Sequence, residues 1–122
     1  MHAPPTFLTT TENALPDYRI LERYGVVRGI TVRSRSLFGR VGAKLQQLVG
    51  GDITLLTDLC EQTRAASFDL AVSHARALGA NALIALRYDA TEIMEGVSEV
   101  LCYGTAVRIA PLAGGQSEAT RP

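Results

Sequence analysis

An Ala-rich helical pattern that ends at a glycine constrains the fold of this chain more than any other feature. Asp52 suits the N-cap of a helix that we predict from about Ile53 to Leu78, and Gly79 supplies the left-handed position that closes it. A helix of that length spans about 39 Å. Its apolar residues fill an arc of about 180°, which is wider than one sheet face covers. We therefore expect a second element or another subunit to bury the rest of this arc.

Two runs typical of strands follow the helix and predict a β-hairpin. Residues 82–93 alternate, Met94-Glu95-Gly96 forms the turn, and residues 97–109 return. One face of the returning strand carries small side chains, which let a helix approach closely: Val100, Cys102, Gly104 and Ala106. We predict that the Ala-rich helix packs on this face.

Strand patterns also precede the helix. Residues 6–11 suit a short edge strand before the Pro16-Asp17 turn, and residues 20–33 alternate, with Gly25 and Gly29 on the face opposite the apolar side chains. Two glycines on one face indicate a bend, a bulge or a close backbone approach. Together these patterns predict an α+β fold with an antiparallel sheet.

A second, shorter helix is predicted between the strands and the long helix. Val41, Leu45, Leu48 and Val49 recur at helical spacing, and Gly50-Gly51 ends the pattern. A chain of 122 residues is long enough for one core. We therefore predict three parts: a flexible arm over residues 1–7, one oligomerising domain over 8–110 and a flexible tail over 111–122.

The charges cancel over the whole chain but not locally. The 12 Lys and Arg residues balance the 12 Asp and Glu residues, which removes the overall field that a nonspecific nucleic-acid or membrane binder uses. Six basic residues and no acidic one lie between Arg23 and Gly51, whereas the hairpin region carries an acidic group: Asp89, Glu92, Glu95 and Glu99. We predict a salt-sensitive contact between the basic surface of one subunit and the acidic surface of its neighbour.

The sequence gives no signal for export or membrane insertion. Residues 1–5 lack the pattern of a secretory signal, and no window reaches about 18 consecutive apolar residues. We therefore expect a cytoplasmic protein without a membrane partner. In that compartment Cys60 and Cys102 are expected to stay reduced and to pack as small apolar side chains.

The sequence contains few thiol and imidazole groups that could bind a metal ion. No CxxC, HxxxH or HxxE spacing occurs, and the thiol and imidazole groups are Cys60, Cys102, His2 and His74. Cys60 and His74 project from similar sides of the helix but lie about 21 Å apart, too far to share one ion. A divalent or soft metal ion is therefore expected only where oligomer symmetry repeats Cys102, His74 or Cys60 around an axis. Within one subunit, His74 is expected to be partly buried and hydrogen-bonded to a neighbouring element.

Other chemistry has less support in the sequence. Neither cysteine lies at a helix N-terminus, so we predict no catalytic residue. Gly50 and Gly51, preceded by Arg40 and Lys44, form a candidate anion site ahead of a helix. Two alternatives stay open: an enzyme whose site lies between subunits, and an anion- or nucleic-acid-binding module that uses the basic run Arg28, Arg33, Arg35, Arg40 and Lys44.

Several landmarks, in order along the chain, resemble the YbjQ family of small bacterial proteins over residues 8–109. They are Thr9-Thr10-Thr11 before a turn, Val49-Gly50-Gly51, Leu78-Gly79-Ala80-Asn81-Ala82 and Gly104-Thr105-Ala106-Val107. The resemblance implies a dodecin-like α+β subunit that assembles into a ring-shaped homopentamer. The family carries a suggested heavy-metal-binding role and no established reaction. The apolar Ile53-Thr54-Leu55-Leu56 departs from the usual charged family segment, which argues against a polar site at that helix start.

The residues and the resemblance together predict a noncatalytic protein that assembles with itself. The ring is expected to contain five subunits and to offer a metal or small-ligand site. Copies of the same chain are the expected partner, and nucleic acid is not.

Overall fold

One helix and four strands make up the residues that the computed structural model describes, which are 7–34 and 54–112. In chain order they are strand β1 (Leu8–Thr9), strand β2 (Tyr18–Ser34), helix α1 (Thr54–Leu78), strand β3 (Ala82–Met94) and strand β4 (Val97–Pro111). The predicted α+β class is confirmed. The predicted short helix, the anion-site residues Arg40, Lys44, Gly50 and Gly51, and also His2 and Arg35, lie outside the described residues.

The sheet has the strand order β1-β3-β4-β2. It is mixed, so the prediction of an antiparallel sheet was wrong for strand β1. β4 runs antiparallel to both β2 and β3, whereas β1 runs parallel to β3, with Leu8 opposite Ala82. The backbone of Leu8 donates to the Asn81 carbonyl, and that of Thr10 donates to the Leu83 carbonyl. β2 and α1 supply the long connection that a parallel pair needs.

Helix α1 ends as the sequence predicts. Gly79 has a φ of 99°, its N–H donates to the Arg76 carbonyl at 2.9 Å, and the Ala80 N–H donates to the Ala75 carbonyl at 3.1 Å. This pair of bonds is the Schellman arrangement, which satisfies carbonyl groups of the last turn. β3 then starts at Ala82, and a turn at Glu95 and Gly96 joins it to β4, which confirms the hairpin.

The helix lies very close to the sheet where it crosses β2. A Cβ on Gly29 would collide with the Ser67 carbonyl oxygen and would lie 2.5 Å from the Ala71 backbone nitrogen. Ala71 and Ala75 are fully buried at this contact, and Cys102 and Ala106 of β4 are fully buried on the same core. Small residues on both elements therefore determine how closely the helix approaches, and the predicted docking face of β4 is confirmed.

A buried pair of hydroxyl groups joins α1 to the sheet. The Ser67 hydroxyl donates to the Val100 carbonyl at 3.0 Å, and its oxygen lies 2.7 Å from the Thr31 hydroxyl oxygen. Because the Ser67 proton is used on the carbonyl, the Thr31 hydroxyl donates to Ser67. The helix is thus fixed to β2 and β4 at one point along its length by hydrogen bonds as well as by packing.

Two of the register shifts in β2 and β3 coincide with a residue of positive φ. β2 shifts its register between Arg23 and Gly25, where Gly25 has a φ of 98°, and β3 shifts between Ile84 and Arg87, where Ala85 has a φ of 55°. The two predicted roles for the β2 glycines are therefore both present, since Gly25 forms the bulge and Gly29 allows the close approach. Past the bulge, Val27 and Gly29 are buried, whereas Val26, Ile30 and Val32 are exposed.

Candidate functional site: an edge groove and an arginine pocket

Among the described residues β2 pairs with β4 alone, and an open groove of about 560 Å³ follows its other edge beside helix α1. We call it the edge groove, and its lining is mostly apolar: Val26, Val27, Arg28, Ile30, Leu70, His74, Ala77 and Leu78. The exposed fraction is 69% for Val26 and 50% for Leu78, and Leu70 is also exposed. The wide apolar arc predicted for the helix therefore does extend beyond the sheet within one subunit.

His74 joins the helix to the open edge of β2. Its Nδ1 lies 2.6 Å from the carbonyl oxygen of Arg28, and because a carbonyl can only accept, Nδ1 carries the hydrogen. The lone pair of the neutral ring is then on Nε2, which points away from that carbonyl. The predicted hydrogen bond to a neighbouring element is present, although the His74 side chain is exposed and not partly buried.

The second free edge of the described sheet is the outer part of β3. Residues that follow β1 cover its beginning, since the Ala85 N–H donates to the Glu12 carbonyl and the Leu86 N–H to the Thr10 carbonyl. Arg87 also donates to the Thr11 carbonyl through Nη1. Beyond Arg87, β3 pairs with β4 alone among the described residues. This stretch carries the exposed carboxylates Asp89 and Glu92.

The two thiols have opposite environments. Cys60 is exposed on α1, whereas Cys102 is fully buried between the helix and the sheet. Burial raises the pKa of the Cys102 thiol, and the hydrogen bond with Tyr88 lowers it by less. Burial also raises the pKa of Tyr88, and the neighbouring Cys102 adds to that shift. A neutral thiol inside the core agrees with the predicted packing role of Cys102.

We expect the free energy of unfolding to fall as the pH rises through and above the ordinary pKa of a thiol. The Cys102 thiol, whose ordinary pKa is 9.0, ionises at lower pH in the unfolded chain than in the folded one. Its contribution to stability is therefore complete below the unfolded pKa and is lost as the pH rises through the folded pKa. Urea unfolding across this range measures the slope. Cys102→Ala should reduce this slope; an equal slope in the wild type and in Cys102→Ala would contradict this assignment.

A single subunit does not supply a closed metal site from the part of the chain that the structure describes. Within residues 7–34 and 54–112, no three His, Cys, Asp or Glu side chains are placed to hold one ion. His74 and Cys60 are exposed and Cys102 is buried, so the structure does not bring the three predicted ligands together. A metal site that uses His74 would need ligands other than the described residues of its own subunit.

A smaller and more enclosed cavity of about 180 Å³ lies between the other end of α1 and the sheet. We call it the arginine pocket, and its described lining is Arg33, Leu59, Cys60, Thr63, Arg64, Ala90, Ser98 and Val100. Arg33 belongs to the predicted basic run, but the pocket itself was not predicted. The residues that line the pocket come from four elements. The sequence signal for the pocket was limited to Arg33, which lies on the same face of β2 as Gly29.

The described helix α1 is not apolar enough over its length to cross a membrane.

Comparison with known proteins identifies close relatives. A sequence model of the YbjQ family, described as "Putative heavy-metal-binding", matches residues 7–110. A protein named UPF0145 protein from Solibacter usitatus is 56% identical over 108 residues, which cover 88% of this chain and 96% of the relative. One from Chromobacterium violaceum is 56% identical over 90% of this chain and 94% of the relative. A third, from Burkholderia multivorans, is 56% identical over 86% of each chain.

Proposed function

Because the chain belongs to the YbjQ family, we propose that it is a noncatalytic protein whose copies assemble into a closed ring of five and bind a divalent or soft metal ion at the junctions between them. The observation that carries this proposal is the edge groove beside the open edge of β2. Val26, Ile30 and Leu78 are large apolar side chains that one subunit leaves in water. Contiguous exposed apolar surface of this kind is typical of an interface.

The two free edges of the sheet suit a head-to-tail contact. β2 and β3 both run antiparallel to β4, so they run parallel to each other. A rotation that continues the sheet around an axis sets β2 of one copy beside the outer part of β3 of the next copy, again in parallel. Repeated head-to-tail contacts of this kind form a ring where the rotation closes, and the ring covers both of these edges.

The charges of the two edges are complementary. β2 carries Arg23 and Arg28, and the outer part of β3 carries Asp89 and Glu92, all of them exposed. The registers with β4 put Arg28 and Asp89 on the same face of the sheet, the one opposite the helix. Opposite charges on neighbouring strands contribute roughly 0.2–1 kcal/mol per pair. They would favour this pairing over the pairing of two β2 edges.

The same geometry supports the proposed metal role. The bond from Nδ1 to the Arg28 carbonyl orients the His74 ring, as a backbone carbonyl commonly does for a metal-binding histidine. His74 lies in the edge groove, where its Nε2 would meet the next copy. The Glu92 carboxylate of that copy, whose register with Ser98 puts it on the helix side of the sheet, would add oxygen ligands, and imidazole with carboxylate suits zinc. The bound metal would therefore depend on assembly.

Zinc titration of the full chain tests this proposal. We expect calorimetry to give about one Zn²⁺ per subunit and a rise in melting temperature for the wild-type protein, since metal that binds the folded state stabilises it. His74→Ala should keep the assembled mass and lose the zinc response, and Cys60→Ala should keep both. Zinc binding that is equal in the wild type and in His74→Ala would rule out the proposed ligand.

A further inference from the structure

We propose that the arginine pocket binds a small organic carboxylate, whose charged group meets Arg33 and Arg64 and whose apolar body fills the space between α1 and the sheet. Neither the family description nor the ring accounts for this cavity. The described lining comes from one chain, so the proposal does not rest on assembly or on a metal ion.

The charge of the pocket points to an anion. Arg33 and Arg64 both line it, and no ion pair between described residues involves either of them. The ion pair found in those residues joins Arg108 to Glu22, on another part of β2 and β4. Two guanidinium groups on one cavity of about 180 Å³ strongly favour a negatively charged occupant.

Contacts within the subunit orient both guanidinium groups. The Thr63 hydroxyl donates to the Leu59 carbonyl at 2.8 Å and accepts a hydrogen bond from Arg33 Nε at 3.2 Å. This bond uses Nε and leaves the two Nη groups as the end of the guanidinium that would meet two carboxylate oxygens side by side. The Arg64 guanidinium lies over the Tyr88 ring, 5.4 Å from its centroid, which restricts its position at the rim.

The walls select an organic anion over an inorganic one. Leu59 is buried and Val100 is half-buried, and Ala90, which is exposed, adds to the apolar lining. A phosphate ion would leave these walls in contact with water, whereas an aliphatic group would displace that water. The volume equals that of about six water molecules in the liquid, which suits a branched carboxylate such as isovalerate.

Protection of Cys60 provides a direct measurement. Cys60 lines the pocket and is exposed, while Cys102 is fully buried, so alkylation of the folded chain reports on Cys60. We expect saturating isovalerate to slow this alkylation at least about fivefold. The neutral analogue 3-methylbutanol and inorganic phosphate should both have less than a twofold effect at the same concentration.

Substitutions that remove a positive charge test where the carboxylate binds. Arg64→Gln and Arg33→Gln should each raise the isovalerate concentration for half-protection at least about tenfold, because each removes one guanidinium partner. Arg19→Gln, an exposed arginine at the other end of β2, should leave it unchanged. Folding of each variant is checked by its melting temperature, and its assembled mass is compared with that of the wild type.

The possible outcomes distinguish carboxylate binding from other kinds of binding, and they test it independently of the proposed ring. Equal protection by 3-methylbutanol would show an apolar pocket without anion recognition, and equal protection by phosphate would show a general anion site. Either result overturns the carboxylate assignment, as does an absence of protection. A monomeric protein that isovalerate still protects would contradict the ring and leave the arginine pocket supported.

Discussion

Gly29→Ala should lower the free energy of unfolding by at least about 3 kcal/mol, the upper end of the usual cost of overpacking a core. The new methyl group would collide with the Ser67 carbonyl oxygen and approach the Ala71 nitrogen to 2.5 Å. Both are backbone atoms of α1, so no change of rotamer can relieve the collision. The helix would have to move away from β2, which would also stretch the buried bonds of Ser67 with Thr31 and Val100. Urea unfolding monitored by circular dichroism measures the loss.

Gly25→Ala is the matched control, because it adds the same methyl group to the same strand. Apart from its chain neighbours, no described residue has an atom within 4 Å of the added Cβ, but Gly25 has a φ of 98°, so the cost is backbone strain of about 1–2 kcal/mol. The difference between the two variants isolates the contact of helix and strand. A Gly29→Ala protein as stable as Gly25→Ala would contradict the close approach.

Val26→Glu should convert the assembled protein into monomers with a folded core. Val26 is 69% exposed, so a carboxylate there stays in water in a free subunit and costs it little. In the ring the same side chain would lie in the edge groove between two copies, where an unpaired buried charge costs several kcal/mol. Light scattering coupled to size exclusion should show the mass falling to that of one chain, 13.1 kDa, with an unchanged far-ultraviolet circular dichroism spectrum.

Gln62→Glu controls for the added charge, since Gln62 is exposed on α1 and does not line the edge groove. Its mass should equal that of the wild type at every concentration. If Val26→Glu and Gln62→Glu have the same mass as the wild type, the edge groove is not the interface. If both become monomeric, the effect is one of net charge and not of the edge groove.

The parts of the fold that local chemistry determines were predicted from the sequence. Gly79 ended the helix because the last turn needs a residue with positive φ at this position, and Met94-Glu95-Gly96 separated two strands that can pair only as a hairpin. The small face of β4 was also predicted, because small side chains such as Cys102 and Ala106 leave space that a helix can fill. Each of these signals lies within a few residues of the structure it specifies.

The features that depend on distant residues were not predicted. β1 pairs in parallel with β3 through two residues, and a strand this short carries no signal that selects its partner. On β2, Val26, Ile30 and Val32 formed the more apolar face, yet the helix covers the face of Gly29, because only a glycine lets the backbones come so close. The alternation of apolar side chains therefore does not by itself tell which face of β2 is buried against the helix.

In the candidate sites, too, local features were predicted and contacts between distant residues were not. His74 was identified as a possible ligand from its residue type and its position on the helix, but its bond to the Arg28 carbonyl joins residues 46 positions apart. The arginine pocket likewise depends on Arg33 and Thr63, which are 30 positions apart and meet through one hydrogen bond. Such pairs become visible only when the register of β2 and the position of α1 are known.

The mass of the purified wild-type chain in solution tests the central claim most directly. Multi-angle light scattering at micromolar concentration should give five times the 13.1 kDa of one chain, and the assembly should weaken as salt screens the charges of β2 and β3. A compact and fully stable monomer at that concentration would contradict the account, because it would mean that the edge groove needs no second copy to cover it.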